Sequence, residues 1–153
     1  MKKVRVYVAC ALTHASQEYK DEIELLKQQL RRLSWVEVLN FVGEQLKGDT
    51  DQVHAARIYE NDIHECVGTA HAIVAELSLP SIGLGWELGT SVEKHGIRTI
   101  MLAHEDALVS KMPPGASYFE KNEHVSFERY KGSLLGQVTN VVRELRIVHQ
   151  QIN

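Results

Sequence analysis

The segment Ala70–Leu77 constrains this chain most: within it only His71 and Glu76 are polar. A stretch that apolar and that short reads as a strand covered on both faces, the condition of a parallel sheet packed between helices. Similar short stretches recur at Val4–Ala9, Trp35–Leu39 and Arg98–His104, and a weaker one at His124–Phe127. The intervening segments have helical spacing. Gln17–Leu33 sets Tyr19, Ile23, Leu26 and Leu30 on one side, and Gln52–Val67 does the same with Tyr59, Ile63, Cys66 and Val67. Trp86–His95 is a shorter helix stopped by Gly96, and Ser133–Ile152 turns Leu134, Val138, Val141, Val142, Leu145 and Val148 inward. Gly43–Asp51, Pro80–Gly85 and Pro113–Asn122 read as loops or turns. Alternation of this kind predicts an α/β protein, a flavodoxin-like or Rossmann-like three-layer fold. Its sheet has five parallel strands in the order 2-1-3-4-5, and the expectation is one domain over residues 1–153. In such sheets ligands sit beyond the carboxyl ends of the strands, where the order reverses beside strand one. The loops to inspect are Cys10–Ser16, Phe41–Asp51 and Ser78–Trp86.

Charge and composition narrow the partners. A net charge of -3 gives no basic footprint for a nucleic-acid polymer. No apolar run approaches the roughly 18 residues of a membrane span, and Met1-Lys2-Lys3 leads straight into a short strand, so a cytoplasmic protein without a membrane partner is expected. Cys10 and Cys66 fall in apolar stretches and are expected to be reduced, buried thiols. The histidines show no HxxxH or HExxH spacing, so no metal is expected, and nothing in the chain calls for a cofactor. A P-loop and a GxSxG elbow are both missing.

The segment Ser78–Gly89 carries the chemistry. It joins the most apolar strand to a helix, and Gly83 and Gly85 would let backbone approach a ligand closely. Glu87 is expected in the first turn of the helix, where the dipole favours an ionised carboxylate. Ordinary capping explains an acid there equally well. A second carboxyl for acid–base work would come from Asp62, which borders the buried stripe of its helix. An acid in that place is either a satisfied structural group or one whose pKa is tuned by burial. Glu60 is expected in solvent, and Glu76 to pair with a neighbouring loop. Trp86 is read as a packing residue before a platform for a base.

Ile58-Tyr59-Glu60-Asn61-Asp62-Ile63, Ala72-Ile73-Val74-Ala75-Glu76-Leu77 and Pro80-Ser81-Ile82-Gly83-Leu84-Gly85-Trp86-Glu87-Leu88-Gly89 together resemble the nucleoside 2-deoxyribosyltransferase family. Within it they are most similar to the 2'-deoxynucleoside 5'-phosphate N-hydrolases; Tyr7 in the first strand also matches, and the likeness spans roughly residues 4–104. The resemblance implies that Glu87 attacks the anomeric carbon of 2-deoxyribose, that Asp62 gives a proton to the departing base, and that Tyr7 holds Glu87 by a hydrogen bond. Two displacements retain configuration. Ser81 stands where transferases of the family carry an aspartate, which implies a 5'-phosphate in place of a free hydroxyl.

After strand one, however, the family's phosphate-cradling arginine and serine are Thr13 and Ala11 here, which leaves Thr13, His14 or Ser16 to substitute. Base exchange by a transferase, or hydrolysis of an unphosphorylated nucleoside, therefore stands as the alternative. A nucleotide-sensing module that performs no reaction is the non-enzyme alternative. The resemblance further implies a homodimer with a shared site, in which Ser117 or Asn122 of the partner subunit meets the 5' end. Asn40, Phe41 and Gln45 are candidates to contact the base. The expected ligand is a small deoxynucleotide or deoxynucleoside.

Overall fold

The computed structural model describes residues 1–40, 51–119 and 124–153. Five strands form one parallel sheet: β1 (Val4–Cys10), β2 (Val36–Val38), β3 (Ala72–Glu76), β4 (Arg98–His104) and β5 (Val125–Tyr130). Their order is β2-β1-β3-β4-β5, and every pairing is parallel. This is the expected topology, with the reversal between β1 and β3. The helices are α1 (Gln17–Arg31), α2 (Asp51–Tyr59), α3 (Ile82–Gly89), α4 (Met112–Phe119) and α5 (Val138–Ile152). None of them is long and apolar enough to cross a membrane among the described residues.

Strand alternation divides the core into two layers. Val4, Val6 and Val8 of β1 face α1 and α5, where Ile23, Leu26, Leu30, Val141, Leu145 and Val148 are buried. Tyr7 and Ala9 face the opposite layer, with Ile63, Cys66, Leu84 and Leu88. β3 is buried at every position, as its composition requires.

Three elements differ from the sequence reading. Helix α3 begins at Ile82, not at Trp86, because Ser81 adopts extended backbone and its Oγ accepts the Leu84 N–H at 3.2 Å, an ordinary N-cap. Helix α4 occupies most of the stretch read as the loop Pro113–Asn122. Its prolines fall in the first turn, where a missing N–H costs no helical bond. The helix read as Gln52–Val67 is three segments: α2, then a π-helical stretch Glu60–Cys66, then a 3-10 turn Val67–Thr69. Its first part is not buried against the sheet, and Tyr59 is 48% exposed, its ring edge-on to His64. Tyr59 therefore is not part of the inner stripe, which starts at Asp62. Cys66 is buried as expected, whereas Cys10 is only half-buried; both are free thiols.

Candidate active site

Three elements bring the candidate catalytic groups to one place. Tyr7 projects from β1, Glu87 from α3 and Asp62 from the π-helical stretch. The Tyr7 hydroxyl donates to Glu87 Oε1 at 3.3 Å. Asp62 is 6% exposed, and its Oδ1 accepts from the Asn61 amide at 2.9 Å.

The electrostatics differ from those expected of a helix terminus. α3 has no acid in its first turn, since Glu87 stands well inside the helix that starts at Ile82. The dipole argument for an ionised Glu87 therefore fails, because that effect fades within the first turn. Burial and the charge of Asp62 instead push Glu87 up to about 8, and only the Tyr7 hydroxyl opposes them. Burial also raises Asp62, against the lowering effect of Asn61. Burial, followed by the charges of Glu87 and Asp62, moves Tyr7 far above the phenol range, so it acts as a donor only. Two carboxyls in one poorly solvated place cannot both ionise readily. A proton on Asp62 would remove its repulsion on Glu87 but leave burial, the larger cause, opposed only by Tyr7; an ionised Glu87 beside a protonated Asp62 is the state that has one nucleophile and one acid.

The remaining sequence candidates are not all gathered here. Tyr7 and Glu87 line a small hollow with Val8, Cys10, Leu12 and Lys27. Ser81 and Gly85 line a separate, mainly apolar cavity of about 370 Å³ between α3 and residues 108–113. Gly83 lies in the exposed first turn of α3, and neither glycine needs a left-handed backbone; a methyl group at Gly85 would meet nothing within 4 Å. Thr13 and His14 form an exposed turn that lines neither cavity, with His14 at a positive φ of 62°. Ser16 is spent on capping α1, accepting from Tyr19 N–H at 3.2 Å. Trp86 is 62% exposed, so it is not the packing residue read from the sequence. Ser117 lies in α4, half-buried, whereas Asn122, Phe41 and Gln45 fall outside the described residues. Asn40 ends the described stretch after β2, and its carbonyl accepts from the Cys66 thiol at 3.6 Å.

Two residues escaped the sequence reading. Lys27 lines the hollow beside Glu87; its helical spacing from Ile23, on the margin of the α1 stripe, was the available signal. Asn61 escaped because its stacking over Cys66, five residues on, arises in the π-helical turn and not at α-helical spacing. Glu76, as expected, pairs with a loop: it accepts from Ser78 N–H at 3.2 and 3.1 Å, from the Ser78 hydroxyl, and from Tyr130 at 3.0 Å. Glu60 is exposed, also as expected.

No family model matches the chain. A curated relative from Methanococcoides burtonii, named putative 2'-deoxynucleoside 5'-phosphate N-hydrolase 1, is 30% identical over 86 residues. That match takes in 56% of this chain and 66% of the relative, a little under two thirds of its length. Among solved structures, the Clostridium botulinum CMP N-glycosidase BcmB has the same fold with a TM-score of 0.59. It is 19% identical, over 94% of this chain and 98% of the other. The curated relative carries the name of the hydrolase branch that the motifs around Asp62 and Glu87 resemble, which bears out that resemblance.

Proposed function

We propose, on the strength of that resemblance, that the chain is an N-glycosidase that hydrolyses 2'-deoxynucleoside 5'-monophosphates through a covalent intermediate on Glu87. The observation that carries this reading is the trio of a half-buried Glu87 with the buried Tyr7 and Asp62, the Tyr7 hydroxyl lying 3.3 Å from Glu87 Oε1. In the first step the Glu87 carboxylate bonds to C1' and the C1'–N bond breaks. The bonding pair leaves with the base, whose nitrogen takes the proton of Asp62. In the second step Asp62, now a carboxylate, removes a proton from water, and the hydroxide oxygen replaces Glu87 at C1'. Free base and deoxyribose 5-phosphate result, with configuration retained.

Lys27 supports an anionic substrate, because it places a cation beside the hollow that Glu87 and Tyr7 line. The β1–α1 turn, with Thr13 and His14, supplies no fixed positive charge of its own. Ser81 keeps its hydroxyl proton free for a phosphate oxygen, since its oxygen is the accepting partner in the α3 cap. A homodimer belongs to this reading. Ile82 (93% exposed) and Leu108 (95% exposed), beside the apolar cavity, offer a face for the second subunit, and sedimentation velocity checks it.

The test is base release from a panel of 2'-deoxynucleosides, ribonucleotides and 2'-deoxynucleoside 5'-monophosphates, with and without a second base, for wild type and Glu87→Ala. Release from the deoxy monophosphates, lost in the variant, is the expected result. Exchange of base on unphosphorylated nucleosides would make the chain a transferase instead. Nucleotide binding without turnover would make it a sensor.

A further inference from the structure

Asn61 immediately precedes Asp62 in the π-helical stretch Glu60–Cys66. Its side-chain amide donates to Asp62 Oδ1 at 2.9 Å and to Cys66 Sγ at 3.7 Å. The Cys66 thiol in turn donates to the Asn40 carbonyl at 3.6 Å. A chain of three contacts thus runs from the end of β2 to the carboxyl of Asp62. The π turn is what permits it. On an α-helix, residues five apart point roughly 140° away from one another. Where the backbone pairs i with i+5, they stack instead. Position 61 then lies over position 66, and one amide reaches both Asp62 and Cys66. Cys66 is 3% exposed and packs with Ile63 and Val67, so the chain is anchored in the core.

We propose that Asn61 is a positioning residue for Asp62: its amide fixes Oδ1 as an acceptor and so leaves the acid proton on Oδ2 for the departing base. This rests on the reading of Asp62 as the proton donor. In a protonated carboxyl the carbonyl oxygen is a far better acceptor than the hydroxyl oxygen, so the Asn61 contact favours the proton on Oδ2. The same contact stops the carboxyl plane from rotating. As the C1'–N bond breaks, the pair moves to the base nitrogen, the nitrogen takes the Oδ2 proton, and Asp62 becomes anionic. The Asn61 bond becomes charge-assisted at that moment and therefore strengthens. Cys66 serves as anchor and not as a reagent, since burial pushes its thiol up to about 12. The titratable groups that Asp62 influences among the described residues are Glu87, Tyr7 and Cys66.

Asn61→Leu keeps the side-chain size and removes the donor. Its turnover is compared with wild type on two substrates: a deoxynucleotide, whose base needs a proton to leave, and 4-nitrophenyl 2-deoxyriboside 5-phosphate, whose nitrophenolate does not. The expected result, read in single turnover so that only the bond-breaking step is seen, is a loss of about 10- to 100-fold in base release from the nucleotide and no loss in nitrophenolate release. The alkaline limb of the nucleotide pH profile also moves upward, because a donor that lowered Asp62 is gone. Equal losses on both substrates, or none on either, would overturn the proposal. A carbon-13 NMR titration of Asp62 in wild type and variant needs no turnover. An upward move of Asp62 supports the proposal even if wild type cleaves no nucleotide, in which case only the functional reading fails. An unmoved Asp62 overturns the proposal. Should Asn61→Leu not fold, Asn61→Ala carries the same readouts.

Discussion

Replacing Glu87 with glutamine should make the protein more stable as pH rises. Burial and Asp62 hold the folded-state carboxyl at about 8, against 4.5 as its ordinary value. Between those pH values the native state keeps a proton that the unfolded chain has released. The contribution of this group to stability is therefore full below pH 4.5 and is lost as pH rises through 8. At about 1.4 kcal/mol per pH unit the displacement corresponds to about 5 kcal/mol. Glu87 is only partly withdrawn from water, and solvent screening reduces this to about 2–3 kcal/mol. The glutamine amide of the variant has no titrating proton and still accepts from Tyr7. The assay is urea unfolding of wild type and Glu87→Gln, followed by circular dichroism, at pH 4.5, 7 and 9. The two should coincide at the lowest pH and diverge by about 2–3 kcal/mol at the highest. A gap that is constant across the three pH values would refute the reasoning, because the carboxyl would then not be strained by its surroundings.

Other substitutions probe other parts of the site. Tyr7→Phe removes the one contact that lowers Glu87, so the acid limb of kcat/KM should move to higher pH, with turnover down about 10-fold or more; a pH–rate profile checks it. Lys27→Met should raise KM for a 5'-monophosphate by about 10-fold and leave the matching nucleoside unaffected, which steady-state kinetics on the pair would reveal. Tyr130→Phe takes a donor from the buried Glu76 carboxylate and should cost about 1–3 kcal/mol in denaturant unfolding.

The sheet was legible because its central strands β1, β3 and β4 are buried on both faces, so apolar content alone marked them. Ala72–Glu76 is the clearest case. Strand order followed from the alternation of elements. The start of α3 was not legible in the same way. Gly83 and Gly85 are poor helix formers, and they concealed a helix that the Ser81 cap initiates. Met112–Phe119 was hidden by Pro113, Pro114 and Gly115, although prolines are tolerated in a first turn. The candidate site was legible in its membership more than in its physics. Tyr7, Asp62 and Glu87 were named from the motif, but the environment of Glu87 was inferred from a helix terminus that begins elsewhere. Counting at 3.6 residues per turn placed Tyr59 in the buried stripe. No spacing rule applied to the sequence reveals a π-helical stretch, so neither the exposure of Tyr59 nor the aim of Asn61 could be foreseen.

The most direct test of the central claim is mass spectrometry of the protein during reaction with a 2'-deoxynucleoside 5'-monophosphate carrying fluorine at C2'. The fluorine slows breakdown of a glycosyl-enzyme by opposing positive charge at C1'. A deoxyfluororibose phosphate adduct is the expected result, mapped to the peptide that contains Glu87 and missing from Glu87→Gln. Base release with no adduct, or an adduct on a different residue, would contradict the claim.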